Sequence, residues 1–356
     1  MSRTPIRPPE FYQALPKVEL HRHLEGSLRL ETMLEIASSN DLDIPTRDPD
    51  ELRSLVQVMP GETRDHRTFL SKFTTLRKFF VSAEVIRRVT QETVIDAAAD
   101  NVSYLELRFT PVALANLGKL PLADVINLVI GASQEAAGHA GIQVRLIASF
   151  NRHESMRKAE KVVALAADFS EDGIAGLDVA GDEANFPADP FAALLNEARQ
   201  SGLKLTVHAG EWGGPANVQQ AISLFRADRI GHGVRVLEDA GAVELALERG
   251  TVFEVCPTSN IHSGVFAALK DHPLKRMTEA GLATTINTDD PGISSIRLTD
   301  EYMLAGESLS IAPAGLRAMT LTAARAAFLR PSERAALIEA VGEAFDRALE
   351  LHDDPG

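Results

Sequence analysis

Residues 18–23 read VELHRH, a short apolar run that ends in His-Arg-His, and residues 203–208 read LKLTVH, which has the same form. Short runs rich in Val, Ile and Leu, followed by polar residues, occur eight times along the chain. They are Val18–His23, Tyr104–Phe109, Val144–Phe150, Ile174–Val179, Leu203–His208, Arg229–His232, Val252–Cys256 and Thr284–Thr288. Nearly continuous apolar runs are typical of strands buried on both faces, as in a parallel sheet.

Segments with apolar residues at helical spacing lie between several of these strands. They are Ala123–Ala140, Ala159–Phe169, Pro190–Ser201, Ala216–Arg226 and Asp239–Arg249. Strands that alternate with helices build βα units around a parallel sheet. Eight such units fit a closed (β/α)8 TIM barrel, which takes ~250 residues before insertions. We therefore predict an α/β protein with this barrel.

The chain has 356 residues, and the length beyond a plain barrel falls in two regions with helical patterns. Residues 27–100 follow the first strand, and residues 300–356 follow the last. No fixed-period repeat, low-complexity tract or linker sets them apart from the barrel. We expect one domain over residues 1–356, with 27–100 as a helical insertion and 300–356 as C-terminal helices.

Composition excludes several classes of protein. The single cysteine, Cys256, rules out a disulfide framework and a zinc site made of several thiolates. The net charge of −14 disfavours nucleic acid and anionic membranes as partners. No apolar run approaches the ~18 residues of a membrane span, and the N-terminus lacks the apolar region of a signal peptide. We expect a cytoplasmic protein; nothing in the sequence indicates its oligomeric state.

Polar side chains cluster at the carboxyl ends of the predicted strands, where barrel enzymes build their active sites. They are His21 and His23 on the first strand, His208 on the fifth, His232 on the sixth, and Asp289 and Asp290 after the eighth. His21 and His23 share one face, because alternate residues of a strand point the same way. Any one of these histidines alone is best interpreted as a core residue, and the remaining ones are interpreted as structural: His66, His139, His153, His262, His272 and His352.

Three imidazoles and a carboxylate suit a borderline divalent ion such as zinc. Such an ion lowers the pKa of bound water from about 15.7 towards ~7. The fourth strand runs into Ala180–Glu183 without the lysine that bridges the ions of many two-metal barrels. We therefore expect one Zn²⁺ per chain.

Two further residues are placed for proton transfer near such an ion. Glu211 follows His208 by three residues and is positioned to give a proton, and His232 is positioned to take one or to hold a hydroxide. The alternative for Glu211 is a helix cap, and for Asp290 it is a turn before Pro291.

Seven segments, in order along the chain, resemble the adenosine deaminase family of metal-dependent amidohydrolases. They are VELHRHLEGS (18–27), YLELRFTP (104–111), LDVAGDE (177–183), TVHAGE (206–211), RIGHG (229–233), EVCPTSN (254–260) and NTDDP (287–291). The similarity runs from about residue 15 to residue 330, nearly the whole chain. It implies a hydrolase that converts a 6-aminopurine to a 6-oxopurine and ammonia, in purine salvage.

The resemblance also implies a role for individual residues. The positions that match zinc ligands are His21, His23, His208 and Asp289. Glu211 matches the acid that protonates the purine N1, and His232 matches the residue that positions the attacking hydroxide. The positions that match substrate-binding residues are His23, Glu25, Gly181 for N3 and Asp290 for N7. The stretch Thr68–Phe80 resembles the lid over the substrate; a core helix is the alternative.

Glu25 departs from the family pattern, because adenosine-specific members usually carry Asp there to contact the ribose 5′-hydroxyl. Members with Glu commonly act on free adenine or on modified adenosines. The segment YLELRFTPVALAN (104–116) is more similar to the nucleoside enzymes, so we favour adenosine or 2′-deoxyadenosine. The alternatives are adenine, a 5′-modified adenosine such as methylthioadenosine or aminodeoxyfutalosine, hydrolysis of a cyclic amide, and a non-catalytic zinc barrel that binds nucleosides.

Overall fold

A computed structural model describes residues 7–40 and 42–353 of the chain. Eight parallel strands are hydrogen-bonded in chain order. They are β1 (Lys17–His23), β2 (Val102–Phe109), β3 (Gln143–Asn151), β4 (Ile174–Ala180), β5 (Lys204–Ala209), β6 (Arg229–His232), β7 (Val252–Val255) and β8 (Ala283–Ile286). Each coincides with one of the eight predicted runs, so the prediction of an α/β barrel is confirmed.

Helices surround the strands in the described part of the chain. The first group is α1 (Pro9–Ala14), α2 (Leu30–Ser39), α3 (Pro49–Val56), α4 (His66–Leu76), α5 (Ala83–Ala99), α6 (Pro111–Gly118), α7 (Leu122–Ala140), α8 (Met156–Asp168) and α9 (Ala192–Gln200). The second is α10 (Pro215–Ser223), α11 (Ala240–Arg249), α12 (Pro257–His262), α13 (Leu274–Glu279), α14 (Pro291–Ser294), α15 (Leu298–Met303), α16 (Pro313–Ala326) and α17 (Pro331–Asp353).

The sequence explains where the longer helices begin and end. In α7, Val125, Ile126, Val129 and Ile130 repeat at helical spacing and are buried against the barrel. The helix ends at Gly141, whose φ of 70° lies in the left-handed region that glycine adopts without steric cost. Two predicted boundaries were too generous: α9 begins at Ala192 after a short 3-10 turn, and α10 ends at Ser223.

The barrel closes between its last and first strands through the segment that follows β8. The backbone N–H of His23 donates to the carbonyl oxygen of Asp289 at 2.8 Å, and the N–H of Asp289 donates to that of His21 at 2.9 Å. Deeper in the barrel, Asn287 accepts the N–H of Leu20 at 2.9 Å through its side-chain oxygen. The closing seam of the barrel therefore passes through three of the residues singled out in the sequence.

The two extra regions take the positions that the sequence indicated. Helices α2 to α5 lie between β1 and β2, and α4 extends over the carboxyl ends of the strands. Near the C-terminus, Ala323 and Ala324 of α16 pack on Val18 and Leu20 of β1. No single helix in the described ranges is long and apolar enough to span a membrane; α6 and α7 would be so only if joined, and a bend of 104° separates them.

Candidate active site

Five side chains from four parts of the barrel meet at the carboxyl end of the strands. The ligand atoms of one group lie within 4.8 Å of one another, and that group is His21, His208, His232 and Asp289. Asp289 Oδ1 lies 3.3 Å from His21 Nε2 and 3.2 Å from His23 Nε2. The structure thus brings together all four residues that the sequence proposed as metal ligands, and it adds His232 to them.

Carboxylates behind two of these histidines fix their orientation. Glu254 Oε2 lies 3.0 Å from His21 Nδ1, and Asp178 Oδ1 lies 2.9 Å from His208 Nδ1. Because an ionised carboxylate only accepts hydrogen bonds, each Nδ1 carries the proton and each Nε2 presents a lone pair to the centre of the site. This carboxylate-to-histidine arrangement is the usual support of metal-ligating imidazoles.

The donor set fits a metal ion on the evidence of its own contacts. His21 Nε2 is buried and has no hydrogen-bond partner among the described residues. It faces an Asp289 oxygen, which is also an acceptor, at 3.3 Å. Two acceptors at this distance repel each other unless a cation lies between them. Imidazole nitrogens and a carboxylate oxygen are ligands that zinc and similar ions accept.

Buried arginines stabilise the supporting carboxylates. Arg108 Nη2 donates to Glu254 at 2.7 Å, and Arg229 Nε donates to the same carboxylate at 2.5 Å. Burial acts to raise the pKa of Glu254, but the two guanidinium groups outweigh it and hold that pKa well below its usual range. Burial likewise opposes ionisation of Asp178, whose pKa is nevertheless lowered by His208 and Arg108. Both carboxylates therefore stay ionised and keep their histidines in the required tautomer.

Glu211 lies just beyond β5 on a loop held by a second glutamate. Glu183 accepts four consecutive backbone N–H groups, from residues 210 to 213, at 2.7 to 3.0 Å. The following helix, α10, begins at Pro215 after Gly214, so Glu211 is not its cap. Burial raises the pKa of Glu211 well above its usual range, and the carboxylates of Asp289 and Glu183 raise it further. Such a carboxyl group is disposed to carry a proton that it can give away.

His232 stands between Glu211 and Asp289. Its Nε2 is 3.6 Å from Glu211 Oε2 and 3.9 Å from Asp289 Oδ2. His232 has a φ of 61° and Asp289 a φ of 64°, in the left-handed region that non-glycine residues seldom adopt. Burial lowers the pKa of His232 well below its usual range, so the imidazole is neutral. Backbone strain at two neighbouring site residues is a common feature of catalytic centres.

Asp290 and Glu25 line the wall of the same cavity. Asp290 Oδ1 is buried without a hydrogen-bond partner in the part of the chain that the structure describes. Asp290 does not cap α14, and a Cβ atom on Gly26 would lie 1.8 Å from this oxygen, so only glycine leaves it room. Burial, followed by the neighbouring Asp289, raises the pKa of Asp290 well above its usual range. Glu25 is buried and accepts the backbone N–H of Thr110 through Oε1 at 2.7 Å.

Helix α4 and the turn after it cover the cavity, and we call this part of the site the roof. Its residues that face the cavity are Phe69, Leu70, Phe73 and Arg77. At the start of α4, the ring of His66 lies 5.6 Å from that of Trp212, which follows Glu211. The strand-end side chains below the roof are called the floor: His21, His23, His208, Glu211, His232 and Asp289. Gly181 lines the cavity with a φ of 89°, next to Asn151.

Several residues that support the site were missed in the sequence. They are Asp178, Glu183, Glu254, Asn260 and His272. A signal was present for Asp178 and Glu254, because each is a charged residue inside an otherwise apolar strand, and a buried charge needs a partner. His153, the most arguable of the other histidines, packs its ring against Phe186 at 5.8 Å instead.

Comparison with known proteins gives a consistent result for the sequence. The family described as adenosine deaminase matches residues 16–344. An adenosine deaminase of Klebsiella pneumoniae is 37% identical over 331 residues, which are 93% of this chain and 98% of that protein. An adenosine deaminase of Escherichia coli O157:H7 is also 37% identical, over 92% of this chain and 98% of its own.

Solved structures with the same fold extend the comparison. An adenine deaminase from Arthrobacter aurescens has a TM-score of 0.86 at 28% identity, covering 92% of this chain and 98% of that one. A zinc-bound amidohydrolase from Burkholderia ambifaria has a TM-score of 0.87 at 27% identity, covering 99% and 96%. The Arabidopsis protein ADAL, complexed with IMP, has a TM-score of 0.84 at 27% identity, covering 96% and 99%.

Proposed function

This chain belongs to the adenosine deaminase family, and from that premise we propose that it catalyses the zinc-dependent hydrolytic deamination of a 6-aminopurine nucleoside. Adenosine or 2′-deoxyadenosine would give inosine or 2′-deoxyinosine plus ammonia. The observation that carries the proposal is the position of Glu211. Its buried carboxyl group, with a raised pKa, lies 3.6 Å from His232 Nε2 and beside the group of metal-binding side chains.

The residues that would hold the metal are His21, His23, His208 and Asp289, with one Zn²⁺ per chain. The opposed lone pairs of His21 Nε2 and Asp289 Oδ1 support a cation at this position, and the zinc-bound amidohydrolase relative supports its identity. An ion bound there lowers the pKa of a coordinated water and so supplies hydroxide at neutral pH.

The side chains of the site divide the remaining work among them. Glu211 would give its proton to N1 of the purine, which makes C6 electrophilic. Asp290, whose Oδ1 lacks a partner in the described chain, would hydrogen-bond N7 in its protonated form. His232 would hold the attacking oxygen, and the backbone N–H of Gly181 would contact N3. Together these contacts fix the plane of the ring against the floor.

Glu25 bears on the choice of substrate. Because Oε1 already accepts the N–H of Thr110, only Oε2 is free to accept a hydrogen bond from a ribose hydroxyl. Free adenine is the second candidate, since Glu25 is longer than the usual Asp and an adenine deaminase has this backbone. A 5′-modified adenosine is a third.

We place the enzyme in purine salvage in the cytoplasm, as a single domain over residues 1–356. Support for the single domain is the continuous apolar core, in which Met33 of the insertion and Leu316 of α16 join the barrel residues. The one cysteine, Cys256, is buried and free, as is usual in a reducing compartment.

A substrate panel tests the proposal. Purified protein is incubated with adenosine, 2′-deoxyadenosine, adenine, 5′-methylthioadenosine and a 5′-extended adenosine, and loss of the aminopurine absorbance is followed. We expect the highest kcat/KM with adenosine or 2′-deoxyadenosine, and no turnover after chelation until zinc is restored. Turnover of none of the five, or full activity in the chelated protein, would refute the proposed function.

A further inference from the structure

A chain of hydrogen bonds runs from the backbone of α13 to the floor of the site. It begins where the N–H of Leu274 donates to His272 Nδ1 at 3.3 Å. A backbone N–H can only donate, so this Nδ1 carries a lone pair. Burial lowers the pKa of His272 to about 3, and the Arg276 guanidinium adds to that effect. The imidazole is therefore neutral and carries its single proton on Nε2.

The second link is the side chain of Asn260, which is fully buried on α12. Its Oδ1 lies 3.2 Å from His272 Nε2. Because that nitrogen is a donor, the oxygen of the amide must face it, and the NH₂ group must face the other way. There Asn260 Nδ2 lies 3.1 Å from His232 Nδ1 and 3.5 Å from Glu211 Oε1. The orientation of the amide thus follows from the tautomer of His272.

The third link sets the state of His232. Its Nδ1 accepts from Asn260, so the proton of the neutral ring lies on Nε2. That is the reverse of His21 and His208, whose Nδ1 atoms face carboxylates. The Nε2–H of His232 points at the space between Glu211 and Asp289. Although His232 lies within the group of possible metal ligands, this nitrogen offers a proton and no lone pair.

We propose that His272 is a positioning residue that acts through Asn260 to hold His232 in the tautomer with the proton on Nε2. In this tautomer His232 donates a hydrogen bond to the attacking oxygen and is kept out of the metal coordination. The role in the reaction rests on the proposed function, but the tautomer is a property of the protein that is measured without substrate.

The test compares two substitutions of one residue. His272→Phe keeps the shape of the ring and removes the donor, which frees the Asn260 amide to turn and present its oxygen to His232. His272→Gln keeps a donor for Asn260. Long-range ¹⁵N–¹H correlation spectra of histidine-labelled protein report the tautomer, with His232 assigned by its absence in His232→Gln. We expect Nε2–H at His232 in the wild type and in His272→Gln, and Nδ1–H in His272→Phe.

Kinetics supply the second measurement. With zinc content matched, we expect kcat of His272→Phe to fall about tenfold or more, as for the loss of one hydrogen bond to a charged group, with KM changed less than about threefold. His272→Gln should retain most of kcat. Asn260→Asp tests the same link if His272→Phe does not fold, because a carboxylate accepts from both histidines and forces Nδ1–H on His232.

Distinct results overturn distinct claims. Nδ1–H at His232 in the wild type, or an unchanged tautomer in both His272→Phe and Asn260→Asp, would refute the positioning role. A switch in tautomer that leaves kcat unaltered would refute its part in the reaction. If no purine is turned over by any variant, the proposed function fails, while the spectra still decide the tautomer.

Discussion

The floor and the roof of the site are built by different physical means. Each floor histidine has a second hydrogen-bond partner behind it, and those partners are tied into the barrel by buried charges. The roof is a helix whose contacts with the cavity are apolar, and Arg77 makes no hydrogen bond or ion pair with any other described side chain. A directional network fixes an atom within tenths of an ångström, whereas apolar packing fixes only a surface. The floor is therefore suited to chemistry and the roof to enclosure.

The sharpest test of the comparison is Glu211→Gln on the floor. Removing the acidic proton without changing shape should lower kcat by ~10³-fold or more, because general acid catalysis commonly contributes ~10²–10⁴-fold. Steady-state kinetics with adenosine measure it, and substrate binding with intact zinc content is the control. A variant with more than about a tenth of the wild-type kcat would contradict the acid role, since that is less than ~1.4 kcal/mol of barrier.

The next test removes a support beneath the floor. Glu254→Gln leaves Arg108 and Arg229 buried with less negative charge to balance them. Breaking a buried ion pair costs about 3–5 kcal/mol of the free energy of unfolding, which urea denaturation followed by circular dichroism measures.

A surface ion pair provides the matched control for that variant. Arg317 and Asp346 are paired at 2.6 Å with both side chains exposed, and Asp346→Asn should change stability little. Equal denaturation midpoints for Glu254→Gln and Asp346→Asn would show that the buried charges do not stabilise the floor.

Glu25→Gln tests the wall between the two regions. The amide oxygen of Gln can still accept the N–H of Thr110, so the fold is retained while the negative charge is lost. Hydrogen bonds to charged groups contribute roughly 1.5–3 kcal/mol, so kcat/KM for adenosine should fall about ten- to a hundredfold. Free adenine has no sugar and should be affected much less. Equal losses for adenosine and adenine, with zinc intact, would refute a ribose contact.

The smallest effect is expected at the roof. Phe73 is half-buried, and Phe73→Ala removes part of an apolar cover without touching a hydrogen bond. At ~25 cal/mol per Å² of apolar surface, KM should rise by roughly three- to tenfold while kcat changes less than about twofold. Thr74→Ala, on the exposed side of the same helix, is the control. A fall in kcat as large as that of a floor variant would break the distinction between the two regions.

The same distinction explains how much the sequence could predict. The strands were predictable because burial on both faces requires runs such as those of β2 and β4, and barrel topology brings their carboxyl ends together. Polar residues at those ends, such as His208 and Asp289, then predict a shared site. Glu254 and Asp178 could have been found as charges within apolar strands.

The links made by loops could not be found in this way. His272 reaches Asn260 across a turn whose course is set by tertiary packing and leaves no periodic pattern in the sequence. The roof was placed correctly as a helical region, but α4 ends at Leu76 and continues as a 3-10 turn, where the pattern suggested a helix to Phe80. The end of a helix held by apolar contacts is decided by its neighbours.

The contact between His66 and Trp212 gives the enzyme a built-in optical reporter. Trp212 is the only tryptophan in the chain, and an imidazole at the start of α4 lies 5.6 Å from its indole ring. Indole emission depends on the polarity around the ring and is quenched by a neighbouring imidazole. Lifting α4 away from the barrel separates the two rings and admits water to the indole. Fluorescence in a stopped-flow instrument therefore times the opening and closing of the roof in the unlabelled protein, separately from the absorbance change of the purine.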